Sequence, residues 1–220
     1  MIDATQTLGQ VAATYPASTL VFLRHQLDFC CGGRQKLGDA ARVAGLDPDK
    51  LIKEIEAEIS TKTADRWDTK PLPELVEFIL RRYHDTLRAD LPALLEAARK
   101  VERVHGAKAS CPKGLASTVD QLYSELDQHM QKEEQVLFPA IRGGSRGDHV
   151  HMPIRMMMQE HDDHGVVLRN IRQLASNFEP PGEACATWRA LYAGLKKLEA
   201  ELMEHIHLEN NVLFPRTLAG

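Results

Sequence analysis

Apolar residues in the carboxy-terminal two-thirds of the chain recur at alternating steps of three and four positions. This spacing places them on one face of an α-helix, the face that packs into a core. The pattern covers four segments, at residues 72–95, 115–136, 154–171 and 188–212. Because short loops join these segments, the sequence predicts a four-helix bundle in an all-α protein.

Glycine and proline mark the breaks between the predicted helices. Residues 143–148 separate the second helix from the third, and residues 180–182 separate the third from the fourth. Pro139 and Pro215 lie where the second and fourth helices are expected to end. Pro92 is expected to kink the first helix.

The amino-terminal part of the chain carries shorter helical patterns. Leu8 and Val11 indicate one short helix, and Pro16 begins another. Asp47 is a favourable cap for a further helix, which runs to about Ser60. These segments predict a small helical unit that is separate from the bundle.

A polar stretch at residues 60–71 is the candidate linker, so the sequence predicts a small helical domain at residues 1–62 and the bundle at residues 72–220. The net charge of −4 and the absence of a basic cluster argue against nucleic acid as a partner. No apolar run approaches the roughly 20 residues that span a membrane. The amino terminus has no Lys or Arg before Arg24, so it lacks the charged start of a secretory signal. We therefore expect a cytoplasmic protein.

The second and fourth predicted helices contain the same motif, His-x-x-x-Glu-x-x-Val-Leu-Phe-Pro, at an offset of 76 residues. A His-Asp pair precedes each copy, and these two pairs are 77 residues apart. Such a repeat in register indicates an internal duplication. The polar residues that the two copies place on the apolar helix faces are His84, His129, Glu133, His161, His205 and Glu209.

These six residues predict a two-metal site. A carboxylate or imidazole that is buried without compensation costs several kcal/mol, and a metal pair supplies that compensation. Residues four apart lie on the same helix face, so each His-x-x-x-Glu pair can reach adjacent points along the bundle axis. We expect each metal to take two His and both Glu to bridge the metals. Nitrogen and oxygen ligands in a bundle favour iron or manganese, with zinc as an alternative.

The other histidines are expected to contribute less. His105 lies about 31 Å beyond His84 along a continuous helix, too far to share the site. His164 is one turn from His161 and is expected to line a pocket or support a ligand. Surface or loop positions are expected for His25, His149, His151 and His207.

Cys30 and Cys31 are adjacent, and Gly32 and Gly33 follow them on a predicted loop. A disulfide between neighbouring cysteines is strained and easily reduced. Two adjacent thiolates can also bind a soft metal or exchange with a target thiol. Two ordinary reduced cysteines are the alternative. The remaining cysteines, Cys111 and Cys185, are interpreted as structural or incidental.

The segment Asp28-Phe29-Cys30-Cys31-Gly32-Gly33, followed by a duplicated bundle, resembles the iron–sulfur cluster repair di-iron proteins of the RIC, or ScdA/YtfE, type. The resemblance covers essentially the whole chain. It implies a hemerythrin-like antiparallel four-helix bundle and a small ScdA-type helical domain marked by Cys30 and Cys31. It also implies two iron ions in an oxo- or hydroxo-bridged centre, held by the same six residues. Hemerythrins proper use more His and fewer Glu.

The family is associated with restoring iron–sulfur clusters damaged by nitric oxide or oxidants, and with cytoplasmic homodimers. The leading hypothesis is therefore a stress-response repair protein whose partners are damaged iron–sulfur proteins. In it, Cys30 and Cys31 act as redox or iron-transfer thiols. An enzymatic alternative is nitric oxide reduction at the di-iron site. A third hypothesis is a hemerythrin-type carrier or sensor of oxygen or nitric oxide.

Overall fold

The structure, a computed structural model, describes residues 2–62 and 65–219, and within these ranges it is helical without a named β-strand. The predicted all-α class is confirmed. Thr63 and Ala64 of the predicted linker lie outside the described residues, as do Met1 and Gly220 at the outer limits of the predicted domains. Within the described ranges, no helix combines the length and apolarity that a membrane crossing requires.

The α-helices follow the predicted segments closely. Three π-helical segments and one 3₁₀ turn, residues 176–178, interrupt or follow them. In chain order the helical elements are α1 (Leu8–Thr14), α2 (Ser18–Arg24), α3 (Leu37–Val43), α4 (Pro48–Thr61), α5 (Leu72–Ile79), π1 (Leu80–His84), α6 (Asp85–His105), α7 (Leu115–Lys132), π2 (Glu133–Leu137), α8 (Phe138–Arg142), α9 (Asp148–Leu174), α10 (Ala186–Leu208), π3 (Glu209–Leu213) and α11 (Phe214–Ala219).

The chain divides into two compact units. The first comprises Met1–Ile79, Ala140–Ile154 and Met203–Gly220, and the second comprises Leu80–Pro139 and Arg155–Leu202. The predicted limits of the two sequence domains stay a prediction.

Side-chain caps begin two of the amino-terminal helices of the first unit, α1 and α4. Thr7 caps α1 in a capping box with Gln10, and Asp47 caps α4 by accepting from the backbone N–H groups of residues 49 and 50. Helix α3 was not predicted, because its apolar pattern is too short to stand out. The side chains that fill this core include Leu8, Val11, Phe22, Phe29, Leu37 and Ile55.

The second unit is an antiparallel four-helix bundle made of α6 with π1, α7 with π2, and the parts of α9 and α10 that belong to it. Arg88 pairs with Glu134 and Arg99 with Asp120, so α6 and the α7–π2 helix run in opposite directions. Ion pairs also join the other neighbouring helices. Lys132–Glu160 joins α7 to α9, and Arg172–Glu199 joins α9 to α10. Lys197–Asp90 joins α10 to α6, and Arg82–Glu201 joins π1 to α10.

The π-helical segments were not predicted, and they coincide with candidate ligands. His84 is the last residue of π1, while Glu133 and Glu209 are the first residues of π2 and π3. The wide turns are closed by backbone bonds from Phe138 N–H to Glu133 O and from Phe214 N–H to Glu209 O. Single π turns inside α-helices occur frequently at functional sites.

The expectation that helices end at Pro139 and Pro215 is wrong. Helical structure continues through both prolines, to Arg142 in α8 and to Ala219 in α11. Each proline is the second residue of an α segment that follows a π turn. Proline fits the first turn of a helix because the N–H that it lacks has no partner there.

Candidate metal centre

His84 and His129 are both buried in the second unit, and in each the two ring nitrogens face different groups. Nδ1 of His84 lies 2.7 Å from Glu134 Oε1, and Nδ1 of His129 lies 2.9 Å from Glu160 Oε2. Nε2 of each ring faces Glu133 Oε2, at 3.4 Å and 3.5 Å respectively. A carboxylate on Nδ1 fixes a histidine ring so that Nε2 can bind a metal. Both rings therefore present Nε2 to one buried carboxylate oxygen.

The two outer carboxylates are themselves held by basic side chains. Arg88 Nη1 donates to Glu134 Oε1 at 2.8 Å, and Lys132 Nζ donates to Glu160 Oε1. The hydrogen bond from His129 outweighs the effect of burial and, together with Lys132, lowers the pKa of Glu160 to about 2. Glu160 is therefore ionised at neutral pH, which strengthens its hold on Nδ1–H of His129.

His161 completes the part of the site that lies in the second unit. It is fully buried, and its Nε2 lies 3.0 Å from Nε2 of His129. His129, Glu133 and His161 each offer a ligand atom, and these atoms lie within 4.8 Å of one another. Imidazole nitrogen and carboxylate oxygen are ligands that iron, manganese and zinc accept. The second unit thus brings together four predicted ligands, and they fit a metal.

His164 lies beside this group, as predicted for a pocket-lining residue. Its buried ring stands edge-on to the ring of His129, with 5.0 Å between the centroids. It also lines a cleft of about 480 Å³ together with Gln128, Lys132 and Glu160. The cleft gives small molecules a space next to His164 that is lined by both polar and apolar side chains.

The second copy of the motif lies in the first unit, where His205 and Glu209 are both buried. Nε2 of His205 lies 3.1 Å from Glu209 Oε1. The same relation holds in the other copy, where His129 faces Glu133 one helical turn away. Each copy therefore supplies one buried imidazole and one buried carboxylate at the start of a π turn.

The two residues after Glu209 hold the segment that we call the cysteine loop, residues 25–36 between α2 and α3. Asn211 Nδ2 lies 3.1 Å from the carbonyl oxygens of both Phe29 and Cys30, and Asn210 Nδ2 donates to Cys30 O at 3.3 Å. These contacts join a candidate metal-binding helix to the adjacent cysteines within one compact unit.

The surface position expected for His207 is wrong. The residue is buried, its ring packs edge-on against Phe29 at 5.6 Å, and its Nδ1 lies 3.2 Å from Asn211 Nδ2. Burial lowers the pKa of His207 to about 4, so the ring is neutral at neutral pH. Sequence reasoning missed it because His207 lies outside the duplicated pattern, and what covers it is a distant loop.

Cys30 and Cys31 lie on a loop between helices, as predicted, and neither forms a disulfide. Their sulfur atoms are 3.7 Å apart, and Cys30 Sγ lies 3.2 Å from Asp28 Oδ1. The neighbouring Cys31 thiol, burial and the Asp28 carboxylate together raise the pKa of Cys30 well above its usual range. Without a bound cation, Cys30 is a protonated thiol at neutral pH.

The remaining histidines and cysteines lie outside these clusters. His149 and His151 are exposed on α9, and His25 is partly exposed, with Nε2 2.7 Å from Glu54 Oε2. His105 packs its ring against Trp188, and its Nε2 lies 3.3 Å from the exposed Cys185 Sγ. Cys111 is buried.

A family model described as the hemerythrin HHE cation binding domain matches residues 76–217. The chain belongs to this hemerythrin family. The ScdA_N model, described as a domain of unknown function (DUF542), matches residues 4–59. The chain therefore carries a hemerythrin domain preceded by an ScdA-type domain, and the resemblance stated from the sequence is confirmed.

Relatives with both features match almost the whole chain. The iron-sulfur cluster repair proteins YtfE of Yersinia pseudotuberculosis serotype IB (strain PB1/+) and Yersinia pestis (strain Pestoides F) are each 49% identical over 216 residues. The aligned region covers 98% of this chain and 97% of each relative. The hemerythrin domain and its buried His and Glu residues together indicate a cation-binding protein of the iron-binding hemerythrin type.

Proposed function

We propose that this chain repairs iron–sulfur clusters damaged by nitric oxide or oxidants. The observation that carries the proposal is the arrangement of His84 and His129, which present Nε2 to buried Glu133 while carboxylates hold Nδ1. This is a prepared metal site in a hemerythrin domain. The relatives named as repair proteins, which match the cysteine-loop domain as well, support the choice of function.

In this proposal six residues hold two iron ions, each ion with two His, and both Glu bridge the ions. The ligands are His84, His129, Glu133, His161, His205 and Glu209. The equivalence of the two motif copies supports this assignment, because each copy supplies one buried His and one buried Glu one turn apart. A di-iron centre with an oxo or hydroxo bridge would supply redox chemistry and an iron store.

The proposed division of labour follows the two sequence domains, residues 1–62 and 72–220. The hemerythrin domain holds iron and binds nitric oxide or oxygen, and the cysteine loop provides the thiols that meet the damaged client. Cys30 and Cys31 are the proposed redox or iron-transfer residues. The protein acts in the cytoplasm as a homodimer in this proposal, with damaged iron–sulfur proteins as its partners.

The test is recovery of a purified iron–sulfur dehydratase after nitric oxide treatment. We expect the iron-loaded protein to restore dehydratase activity, and we expect Glu133→Gln, which perturbs the iron site, to fail. Replacement of Cys30 and Cys31 by Ser should leave the iron held by the His and Glu residues unchanged but reduce recovery. The exposed Cys185→Ser is the matched thiol control. Equal recovery with iron-free and iron-loaded protein would contradict the proposed function.

A second candidate, reduction of nitric oxide to nitrous oxide, is favoured by the cleft beside His164. A small gas can enter this cleft and reach His164, whose ring contacts that of His129, without any role for the cysteine loop. The variant with both Cys30 and Cys31 changed to Ser separates the two functions. If reduction is the function, the chemically reduced variant still releases nitrous oxide from nitric oxide at the wild-type rate.

A further inference from the structure

The cysteine loop contains three metal-binding groups that the hemerythrin site does not use. Asp28, Cys30 and Cys31 each offer a ligand atom, and these atoms lie within 4.8 Å of one another. Asp28 Oδ1 accepts from Cys31 N–H at 2.9 Å, so the carboxylate is anchored beside both thiols. We propose that Asp28, Cys30 and Cys31 form a separate mononuclear site for one thiophilic divalent metal ion.

The spacing of the sulfur atoms suits one tetrahedral ion. Two thiolates at about 2.3 Å from the same metal are about 3.8 Å apart at a tetrahedral angle. Cys30 Sγ and Cys31 Sγ are 3.7 Å apart. A sulfur and a carboxylate oxygen on such an ion are about 3.6 Å apart, and Cys30 Sγ lies 3.2 Å from Asp28 Oδ1. Binding therefore needs only small side-chain movements.

The loop that carries these ligands is held in place by its surroundings. Asn211 and Asn210 bind the carbonyl oxygens of Phe29 and Cys30. A Cβ atom at Gly33 would collide with the side chain of Asn211. The backbone of the ligand loop is thus fixed before any ion arrives, which lowers the ordering cost of binding.

A Cβ atom at Gly32 would lie 2.6 Å from the carbonyl oxygen of Asp28. The glycine therefore lets the chain turn back tightly, so that Asp28 and the two cysteines share one small volume. This close approach explains why a glycine directly follows the cysteine pair.

Charge also favours a cation here. Two thiolates and a carboxylate in this small volume repel one another when all three are ionised. A divalent cation reverses the repulsion, and each thiol that binds as thiolate releases its proton to solvent.

Three protein ligands leave one position of a tetrahedral ion open, and Cys31 is partly exposed. A sulfide or thiolate of a client can take that position. The identification of the natural ion as Fe²⁺ rests on the proposed repair function, but the site itself does not. The loop would then present an iron ion to a damaged cluster rather than act through its thiols alone.

Cobalt(II) is the probe, added to the full-length, fully reduced protein without oxygen. Thiolate ligands give Co²⁺ an intense near-ultraviolet charge-transfer absorption, which His and carboxylate ligands do not. We expect one Co²⁺ per chain with this absorption, in addition to the ions bound by His and Glu. Cys31→Ser should abolish the absorption and leave the other ions bound, and Asp28→Asn should weaken this ion by about 10-fold or more.

Cys185→Ser is the matched control and should leave the absorption unchanged. Glu133→Gln should lose ions from the His and Glu site while the thiolate absorption persists. If wild-type protein binds Co²⁺ at His and Glu but shows no thiolate absorption, the proposed site on the cysteine loop is overturned. The proposed di-iron function is then unaffected. Equal absorption in wild type and Cys31→Ser would overturn it as well.

Discussion

The two copies of the motif share their proposed ligands but differ in the residues that follow them. In the first copy, Glu133 is followed by Glu134, whose carboxylate binds Nδ1 of His84. In the second copy, Glu209 is followed by Asn210 and Asn211, whose amides bind the backbone of the cysteine loop. Both proposed ligands begin a π turn. The duplication thus kept the proposed metal-binding positions, and in the second copy the two residues that follow also hold the cysteine loop.

The chemistry of the side chains explains this division. A carboxylate accepts from an imidazole N–H and makes the opposite nitrogen a better ligand. An amide donates to main-chain carbonyl groups and adds no charge near the thiols of Cys30 and Cys31. An acid at position 211 would lack the donor that holds the carbonyls of Phe29 and Cys30. The comparison predicts that changes in the two copies have separable effects on iron and on the cysteine loop.

The largest effect is expected where the copies are alike. Glu133→Gln and Glu209→Gln each remove a proposed bridging carboxylate, so each should weaken iron binding more than about 100-fold, beyond the usual cost of losing an outer partner. Iron per chain, measured after dialysis against a chelator, checks this. An amide at either position that still retains iron fully would show that this carboxylate is not a ligand.

The next effect distinguishes the copies. Glu134→Gln weakens the hold on Nδ1 of His84 and should lower iron affinity by roughly 10- to 100-fold. Asn211→Ala, two positions after Glu209, should leave the affinity for the iron held by His and Glu unchanged, because Asn211 contacts the cysteine loop and His207. Chelator competition measures both. Equal losses in the two variants would mean that the two positions do the same work.

The sequence predicted the four long helical segments and placed six candidate ligands on their apolar faces, because both inferences depend on periodic patterns that the duplication repeats. The sequence did not predict the side chains that hold these candidate ligands and the cysteine loop in place. Glu160 and Asn211 act through contacts between residues far apart in the chain, and both look like ordinary polar positions of a helix. The one available signal was the difference between the copies at Glu134 and Asn210.

The π turns were also out of reach of the sequence pattern. A π turn inserts one residue into a helix, and the apolar spacing on either side hides the shift of register. From the pattern alone, Pro139 and Pro215 therefore resemble helix ends, although each lies in a new α segment that follows a π turn. A proline in the same place of both copies is better interpreted as a signal of a wide turn before it.

Asn211→Ala should act on the cysteine loop. Loss of hydrogen bonds to two carbonyl groups should lower the free energy of unfolding by about 1–3 kcal/mol, with the iron held by His and Glu unchanged. The loosened loop should let an alkylating reagent reach Cys30 about 10-fold faster, as expected if about 1.4 kcal/mol of docking is lost. Peptide mass spectrometry against time measures the rate.

Cys185 is the internal reference for that measurement. It is exposed, and backbone N–H groups at the start of α10, above all that of Trp188, lower the pKa of its thiol. In wild type we expect Cys185 to be alkylated well before Cys30, whose pKa is raised. Asn211→Ala should reduce the difference in alkylation rate between Cys185 and Cys30, because the rate at Cys30 rises while the rate at Cys185 stays the same. A loop that stays protected in the variant would contradict the docking role of Asn211.

The smallest effect on iron affinity is expected at Lys132. This residue directly precedes Glu133, and Leu208 is at the same position before Glu209 in the second copy. Lys132 is partly exposed and pairs with Glu160, but Glu160 keeps its bond to Nδ1 of His129 without it. An exposed ion pair contributes about 0–1 kcal/mol. Lys132→Leu, which makes the first copy resemble the second, should therefore change iron affinity by less than about 5-fold. Glu160→Gln, which acts on His129 directly, should cost roughly 10- to 100-fold in the same chelator competition. If Lys132→Leu lowered iron affinity as much as Glu160→Gln does, the lysine rather than the carboxylate would be the group that orients His129.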